Sequence, residues 1–369
     1  MRVLVTGGAG FIGGHTCERL LKDGHDVMVL DALTPPVHPA GKPPHLPASV
    51  EFYQGDVRNR DLLRVLLRRS DAVFHLAAYQ DYLPEFSRFS DVNVVSTALL
   101  YEIAVEDRLD LARVVVASSQ SVMGEGLYHC PGDGQQLPGM RPLSSLAAGV
   151  WDIPCPKCGG PLDMLPTPEE ISNPQNPYGI SKLGEELVAI NLGRRYDIPT
   201  VALRYSIVQG PGQSVYNAYS GACRIFCLSY HQGIAPVLYE DGMAIRDYVN
   251  IDDAVEANML VLHDDQAVGR VFNVGGGAPV TTKEFAEIVM RQYGSDQPGA
   301  VTGDFRFGDT RHIRSDIGAL GQLGWVPRHT PAESVAAYAR WLEGMEGLSD
   351  VLAVARARMR SLGVVRSAR

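Results

Sequence analysis

The stretch RVLVTGGAGFIGGHTCERLLK, residues 2–22, decides the fold. A strand-like apolar run, Arg2 to Thr6, passes directly into Gly7, Gly10 and Gly13, and a helical pattern follows from about Phe11 to Lys22. Glycines between a strand and a helix let the backbone turn tightly and approach a pyrophosphate, while the first helical turn, here with Phe11 and Ile12, offers it free N–H groups. The next strand, VMVLD, closes on Asp31, 18 residues past Gly13 (31 − 13). A carboxylate there accepts both hydroxyls of a ribose and repels a 2′-phosphate, which favours NAD over NADP. With strand, helix and acid all in place, the loop reads as a dinucleotide site and not as a mere turn.

Outward from this unit, VEFYQGD (50–56), DAVFHLAA (71–78) and RVVVASS (113–119) alternate with helical patterns. Such alternation marks an α/β chain with a Rossmann-type, doubly wound parallel sheet. Asp56 and Val57, at the end of the third strand, fall where an adenine is read. Leu76, Ala77 and Ala78, after the fourth, would run beside the cofactor, although packing explains the alanines equally well. Residues 1–205 are expected to form the NAD-binding domain, with some later segments, about 245–275, returning to it. Residues 206–345 are expected to form a smaller α/β substrate lobe, and 346–369 a helical tail. Between about 124 and 172 periodicity gives way to Gly, Pro and Cys, as in an insertion. The tail carries Arg356, Arg358, Arg360 and Arg366, and reads as a solvated surface helix.

At 369 residues, 45% hydrophobic and 20% charged, the chain can bury a full core. Its net charge of −9 speaks against a non-specific nucleic-acid binder. No apolar run approaches the roughly 18 residues of a membrane span. Met1 to Thr6 enter a strand with no basic, apolar and cleavable leader before it, so a cytoplasmic protein is expected.

Tyr178 and Lys182 in YGISK stand four residues apart, on one face of a helix. The pair alone is common; Ser119 at the end of the fifth strand, where ligand-facing groups of such sheets lie, gives it weight. A tyrosine acting as base near neutral pH needs its pKa lowered by roughly three units, about 4 kcal/mol. The Lys182 ammonium and a positive nicotinamide can supply this by stabilising the phenolate.

These residues together resemble the extended short-chain dehydrogenases/reductases, specifically the nucleotide-sugar epimerase/dehydratase family, over about residues 1–345. The order GEGLYHC (124–130), WDIPCPKCGG (151–160), then the Tyr/Lys helix looks most like its dTDP-L-rhamnose 4-epimerase branch. The resemblance implies a tightly held NAD, a nucleotide-diphosphate sugar as substrate and a homodimer formed through two helices of the sheet domain. It makes Tyr178 the base, Lys182 its electrostatic partner and ribose ligand, and Ser119 the second hydroxyl partner. It adds Asn93 to the cofactor contacts and Gln80 and Ser121 to the substrate contacts. Arg246 of RDYVNIDD and Arg306 of FRFGDTR match arginines that clamp the diphosphate, which suits the paired donors of guanidinium.

Dehydratases of the family place Asp-Glu after the catalytic hydroxyl residue; here those positions are Gln120 and Ser121, neither a carboxylate. Epimerisation at the sugar's 4-position through a 4-keto intermediate is therefore the expected reaction. The alternatives are a dehydrogenase, reductase or dehydratase of the same fold, and an NAD-sensing scaffold that does no chemistry. The family's usual Phe, Asn and Tyr in the LRYSIVQGPG stretch are Ser206, Ile207 and Gln209, which points to an unusual fit of the substrate.

CPKCGG at 155–160 has the shape of a zinc knuckle, two thiolates two residues apart over a glycine turn. Cys130 is a candidate third ligand beside Cys155 and Cys158, and His129 or Asp133 a fourth. Structural zinc and three reduced thiols both remain open on the sequence.

Overall fold

The computed structural model describes residues 1–39, 41–81, 83–216, 221–345, 347–348 and 351–368. The side chains of Arg356 and Arg358 lie outside the described residues.

Seven parallel strands form the central sheet: β1 (Arg2–Thr6), β2 (Asp26–Asp31), β3 (Glu51–Gln54), β4 (Ala72–His75), β5 (Arg113–Ser119), β6 (Thr200–Tyr205) and β7 (Arg270–Val274). Their order is β3-β2-β1-β4-β5-β6-β7, so the winding reverses between β1 and β4. Register puts Thr6 beside both Leu30 and His75, and Ser119 beside Tyr205. The glycine turn and Ser119 thus stand along one edge, the carboxyl ends of the strands, where such sheets bind ligands. The run of residues 270–274 completes the sheet from beyond residue 205.

The strands are apolar on both faces because both faces are covered. Helices Phe11–Lys22 and Ile251–His263 pack on one side over Val3, Val5, Val29 and Phe74. Helices Arg60–Leu67, Ser96–Glu106 and Pro177–Arg195 cover the other over Leu4, Val73, Val114 and Val116. A third core unites helices Ala222–His231, Thr282–Gln292 and Pro331–Glu343 through Phe226, Phe285 and Tyr338. The latter two helices start on reciprocal caps, Thr281 with Glu284 and Thr330 with Glu333.

The insert is a small three-stranded antiparallel sheet, in the order Gly134–Gln136, Tyr128–Cys130, Asp163–Met164. The tail corrects the expectation of a solvated helix. Its helix, Val351–Ser361, buries Leu352 and Met359, seven residues apart on one face. Val365–Ser367 then pairs antiparallel with Asp304–Arg306. Two apolar side chains at helical spacing suffice to dock a short helix. Among the described residues no helix is long and apolar enough to cross a membrane.

Candidate active site

One cavity of about 1050 Å³ runs from the glycine turn to the smaller lobe. At its floor Gly7 adopts φ +70°, and a Cβ there would stand 2.7 Å from the backbone nitrogen of Ala77. At Gly13 a Cβ would meet the carbonyl oxygen of Gly7 at 2.3 Å. Both positions exclude side chains, which leaves bare backbone at the head of the helix: a cradle that fits a dinucleotide pyrophosphate. Gly10, Phe11, Ile12, Leu76 and Ala78 also line it. Asp31 stands just behind. Its carboxylate accepts the amides of Ala9 at 3.0 Å and Leu33 at 2.9 Å, and His38 Nε2 lies 3.9 Å away. Its charge is therefore fixed at the end of β2, beside the cradle.

Four residues expected at the cofactor, Asp56, Val57, Ala77 and Asn93, engage protein partners. Val57 is buried in the core, Asp56 holds Arg58 at 2.6 Å, and the amide of Ala77 donates to Thr6 Oγ1 at 3.3 Å. Asn93 has the most partners of these. Fully buried, it accepts the Tyr79 amide at 2.7 Å and donates to Tyr79 O at 3.1 Å and to Ser181 Oγ at 2.9 Å. A buried amide with its hydrogen bonds made inside the protein is a latch; this one ties the segment after β4 to the Tyr/Lys helix.

That helix, Pro177–Arg195, begins on Asn176, whose side chain accepts the Gly179 amide at 2.8 Å, with Pro177 in the first turn. The cap fixes where Tyr178 enters the cavity. Its phenol is hydrogen-bonded to Ser119, whose Oγ also accepts from Ser121 Oγ at 2.9 Å. Burial holds the Tyr178 phenol above its ordinary pKa, the charge of Glu185 adds to this, and the Ser119 bond opposes it. Lys182 Nζ lies 6.0 Å from the Tyr178 ring centroid and donates to Ala117 O and Glu185 Oε2, each at 2.7 Å. Ser119, Tyr178 and Lys182 are thus brought together on the cavity wall, as the sequence implied. His75, on β4 beneath them, is pushed down to about 3 by burial, with Lys182 adding, and bonds Thr6 and Ser96 as a neutral core ring.

Across the cavity stand Arg246 and Arg306. Arg246 is held by the carbonyls of Ile245, Arg311 and Thr310 at 2.9–3.0 Å. Arg306 pairs with Asp309 at 2.7 Å and lies over the Tyr239 ring. Gln80, Gln120, Ser121 and Ile207 face the same space.

Sequence reading missed several groups. Arg224 lines the cavity from inside the apolar helix Ala222–His231 and has no exposed surface; a lone arginine amid apolar helix residues was the available signal. The proline-rich stretches 37–39 and 41–45 form another wall. Glu185 and the buried set Glu125, Arg141, Glu240 and Arg311 carry no local pattern at all. In the insert Cys130, Cys155 and Cys158 converge together with Asp133, not with His129, whose side chain is exposed.

A glycine cradle at the switch of a doubly wound sheet, with a Ser–Tyr–Lys group beside it, defines a Rossmann-fold enzyme of dinucleotide-dependent chemistry. The chain belongs to the NAD dependent epimerase/dehydratase family, which it matches over residues 3–145 and 156–275. The gap in that match falls inside the insert. The chain is 33% identical over 351 residues to a dTDP-L-rhamnose 4-epimerase of Burkholderia thailandensis, covering 92% of this chain and 94% of that one. It is 31% identical over 354 residues to a UDP-glucose 4-epimerase of Mycolicibacterium smegmatis, covering 91% and 96%. Among solved structures, a Thermotoga maritima UDP-glucose 4-epimerase with UDP-glucose superposes with a TM-score of 0.76 at 27% identity, covering 93% of this chain and 99% of that chain. A Thermus thermophilus UDP-glucose 4-epimerase with NAD gives 0.71 at 28%, with coverage of 93% and 99%.

Proposed function

We propose that the protein is an NAD-dependent 4-epimerase of a nucleotide-diphosphate sugar, working through a transient 4-keto sugar. The observation that carries this reading is the placement of Tyr178, bonded to Ser119 and backed by Lys182, in a cavity shared by the glycine cradle and the arginines of the smaller lobe. Bound in the cradle, NAD would accept a hydride from the sugar's carbon 4 and return it to the opposite face. Tyr178 takes the proton of the 4-hydroxyl and gives it back. Ser119 holds that hydroxyl, and the Lys182 charge supports the phenolate against the burial that disfavours it. Arg246 and Arg306 supply guanidinium donors for the diphosphate. Gln120 and Ser121, in place of a carboxylate pair, support epimerisation over dehydration.

A homodimer is supported by exposed apolar residues on adjoining helical segments of the sheet domain: Val95, Ile180 and Leu187 are each 50–57% exposed. Six free thiols suit the cytoplasm. The three thiols of the insert are assigned to a structural zinc ion.

The test follows sugar ring protons by NMR after mixing the protein, without reductant, with dTDP-L-rhamnose and then with a panel of UDP-, GDP- and ADP-sugars. A 4-epimer at constant total sugar and no accumulating NADH is expected. A deoxy-keto product or stoichiometric NADH would replace this reading by dehydratase or dehydrogenase.

A further inference from the structure

The insert contains one short pattern twice. Cys130-Pro131-Gly132-Asp133-Gly134 and Cys155-Pro156-Lys157-Cys158-Gly159 share a Cys-Pro-x-x-Gly frame, and the first has aspartate where the second has its second cysteine. Each frame turns on a glycine of left-handed backbone, Gly134 at φ +70° and Gly159 at +74°. The first turn joins the antiparallel strands Tyr128–Cys130 and Gly134–Gln136. In the second, the Cys155 amide donates to Gly160 O at 2.8 Å and the Gly159 amide to Cys155 O at 2.9 Å. Inside it the amides of Cys158 and Lys157 face the Cys155 sulfur, and that of Gly160 faces the Cys158 sulfur.

The two turns face each other, and four side-chain donor atoms lie within 4.8 Å of one another. Cys130 Sγ is 3.5 Å from Cys158 Sγ, and Asp133 Oδ2 is 3.6 Å from Cys130 Sγ and 3.4 Å from Cys155 Sγ. Around a tetrahedral zinc with bonds of about 2.3 Å to sulfur and about 2.0 Å to oxygen, sulfur–sulfur edges are about 3.8 Å and sulfur–oxygen edges about 3.5 Å. The three separations agree with those edges to within a few tenths of an ångström. His129 is excluded by strand alternation, since it points to the face opposite Cys130.

We infer that the two facing turns form a tetrahedral zinc site with Cys130, Asp133, Cys155 and Cys158 as ligands, Asp133 holding the place of a fourth cysteine. The inference rests on the assignment of zinc to the insert, and adds the fourth ligand and a task. With four protein ligands the site has no open position for substrate, so its work is structural. The ion closes the excursion between residues 133 and 155, which contains Arg141. That buried guanidinium donates to Glu240 at 3.0 and 2.8 Å and to Asp309 O at 2.8 Å. Glu240 and Asp309 belong to the cavity wall, and Asp309 pairs with Arg306. The zinc site therefore braces the wall that carries Arg306.

The experiment uses the full chain, purified without added metal, and measures zinc by elemental analysis and its retention against a chelator. About one zinc per chain is expected in the unaltered protein and in His129→Ala. Asp133→Ala should weaken retention by at least about tenfold, the least that even an outer-shell change costs a metal site. Asp133→Cys should hold zinc at chelator concentrations that strip the original, and a cobalt(II)-loaded sample should gain thiolate charge-transfer absorption. Chelated protein, still folded by circular dichroism, should show a raised KM for the sugar nucleotide with its NAD content unchanged. Absence of zinc, with Cys130, Cys155 and Cys158 all reacting as free thiols, would overturn the assignment of metal to the insert. Zinc that is lost in His129→Ala and indifferent to both Asp133 variants would overturn the ligand set alone. An unchanged KM would overturn the bracing role.

Discussion

Lys182 Nζ lies 2.7 Å from Glu185 Oε2, one helical turn further along, and neither side chain reaches solvent. Burial pushes the Glu185 carboxyl up to about 7, with Lys182 opposing. When ionised, Glu185 adds to the burial that holds the Tyr178 phenol up. Glu185→Gln removes that charge, so the acidic limb of the kcat profile should move to lower pH. Because Glu185 is ionised mainly above about pH 7, the ratio of kcat at pH 8 to that at pH 6 should rise by up to about threefold, the equivalent of half a pKa unit. A limb that stays in place while kcat falls throughout would show that Glu185 only anchors Lys182.

Tyr178→Phe keeps the ring and removes the hydroxyl bonded to Ser119. Turnover should fall by about a thousandfold, within the usual contribution of a positioned acid/base. NAD released from the denatured variant should match the unaltered protein. Retained epimerisation by NMR would remove Tyr178 from the role of base.

Asp31→Ala removes the acceptor of the Ala9 and Leu33 amides and the carboxylate fixed at the end of β2. Charge-assisted bonds of this kind are worth about 1.5–3 kcal/mol, so NAD affinity should drop by roughly tenfold to a hundredfold. NADP should lose less. Titration calorimetry on cofactor-stripped protein checks both, and equal losses would contradict the role of Asp31 in choosing between the cofactors.

Ile180 and Leu187 sit seven residues apart on one exposed helix face, 57% and 52% exposed. If that face meets a second copy, Leu187→Glu should shift the mass in light scattering from dimer towards monomer with circular dichroism unchanged. A monomeric unaltered protein, or a variant dimer of equal strength, would refute this interface.

Glu125 is buried beside Arg141, and burial raises its carboxyl to about 7 with Arg141 opposing. A carboxyl raised on folding stabilises fully below its unfolded value of 4.5, and that contribution is lost as pH rises through about 7. Glu125→Gln, which keeps an acceptor for the Arg311 amide, should therefore gain on the unaltered protein between pH 5 and pH 8. The gain should be on the order of 2–3 kcal/mol. Denaturant unfolding at the two pH values measures it; a gap that does not widen with pH would refute the sign.

What the sequence determined by itself is whatever its local order encodes. The sheet, the glycine turn with its acid, and the Tyr/Lys helix all follow from periodicity and from residues a few positions apart, because backbone geometry repeats along the chain. Ser119 was legible for the same reason, as the last residue of a strand. Tertiary structure decided what depends on partners distant in the chain. Asn93 is a latch because Ser181, 88 residues on, meets its amide. Arg141 finds Glu240 across 99 residues, and the tail docks through Leu352 and Met359 on a surface that no local pattern announces. His129 and Asp133 were both candidates on the sequence; the strand direction at Cys130 turned one outward and set the other against three sulfurs. Side-chain direction in a folded chain is fixed by packing, and packing is a property of elements that the sequence places far apart.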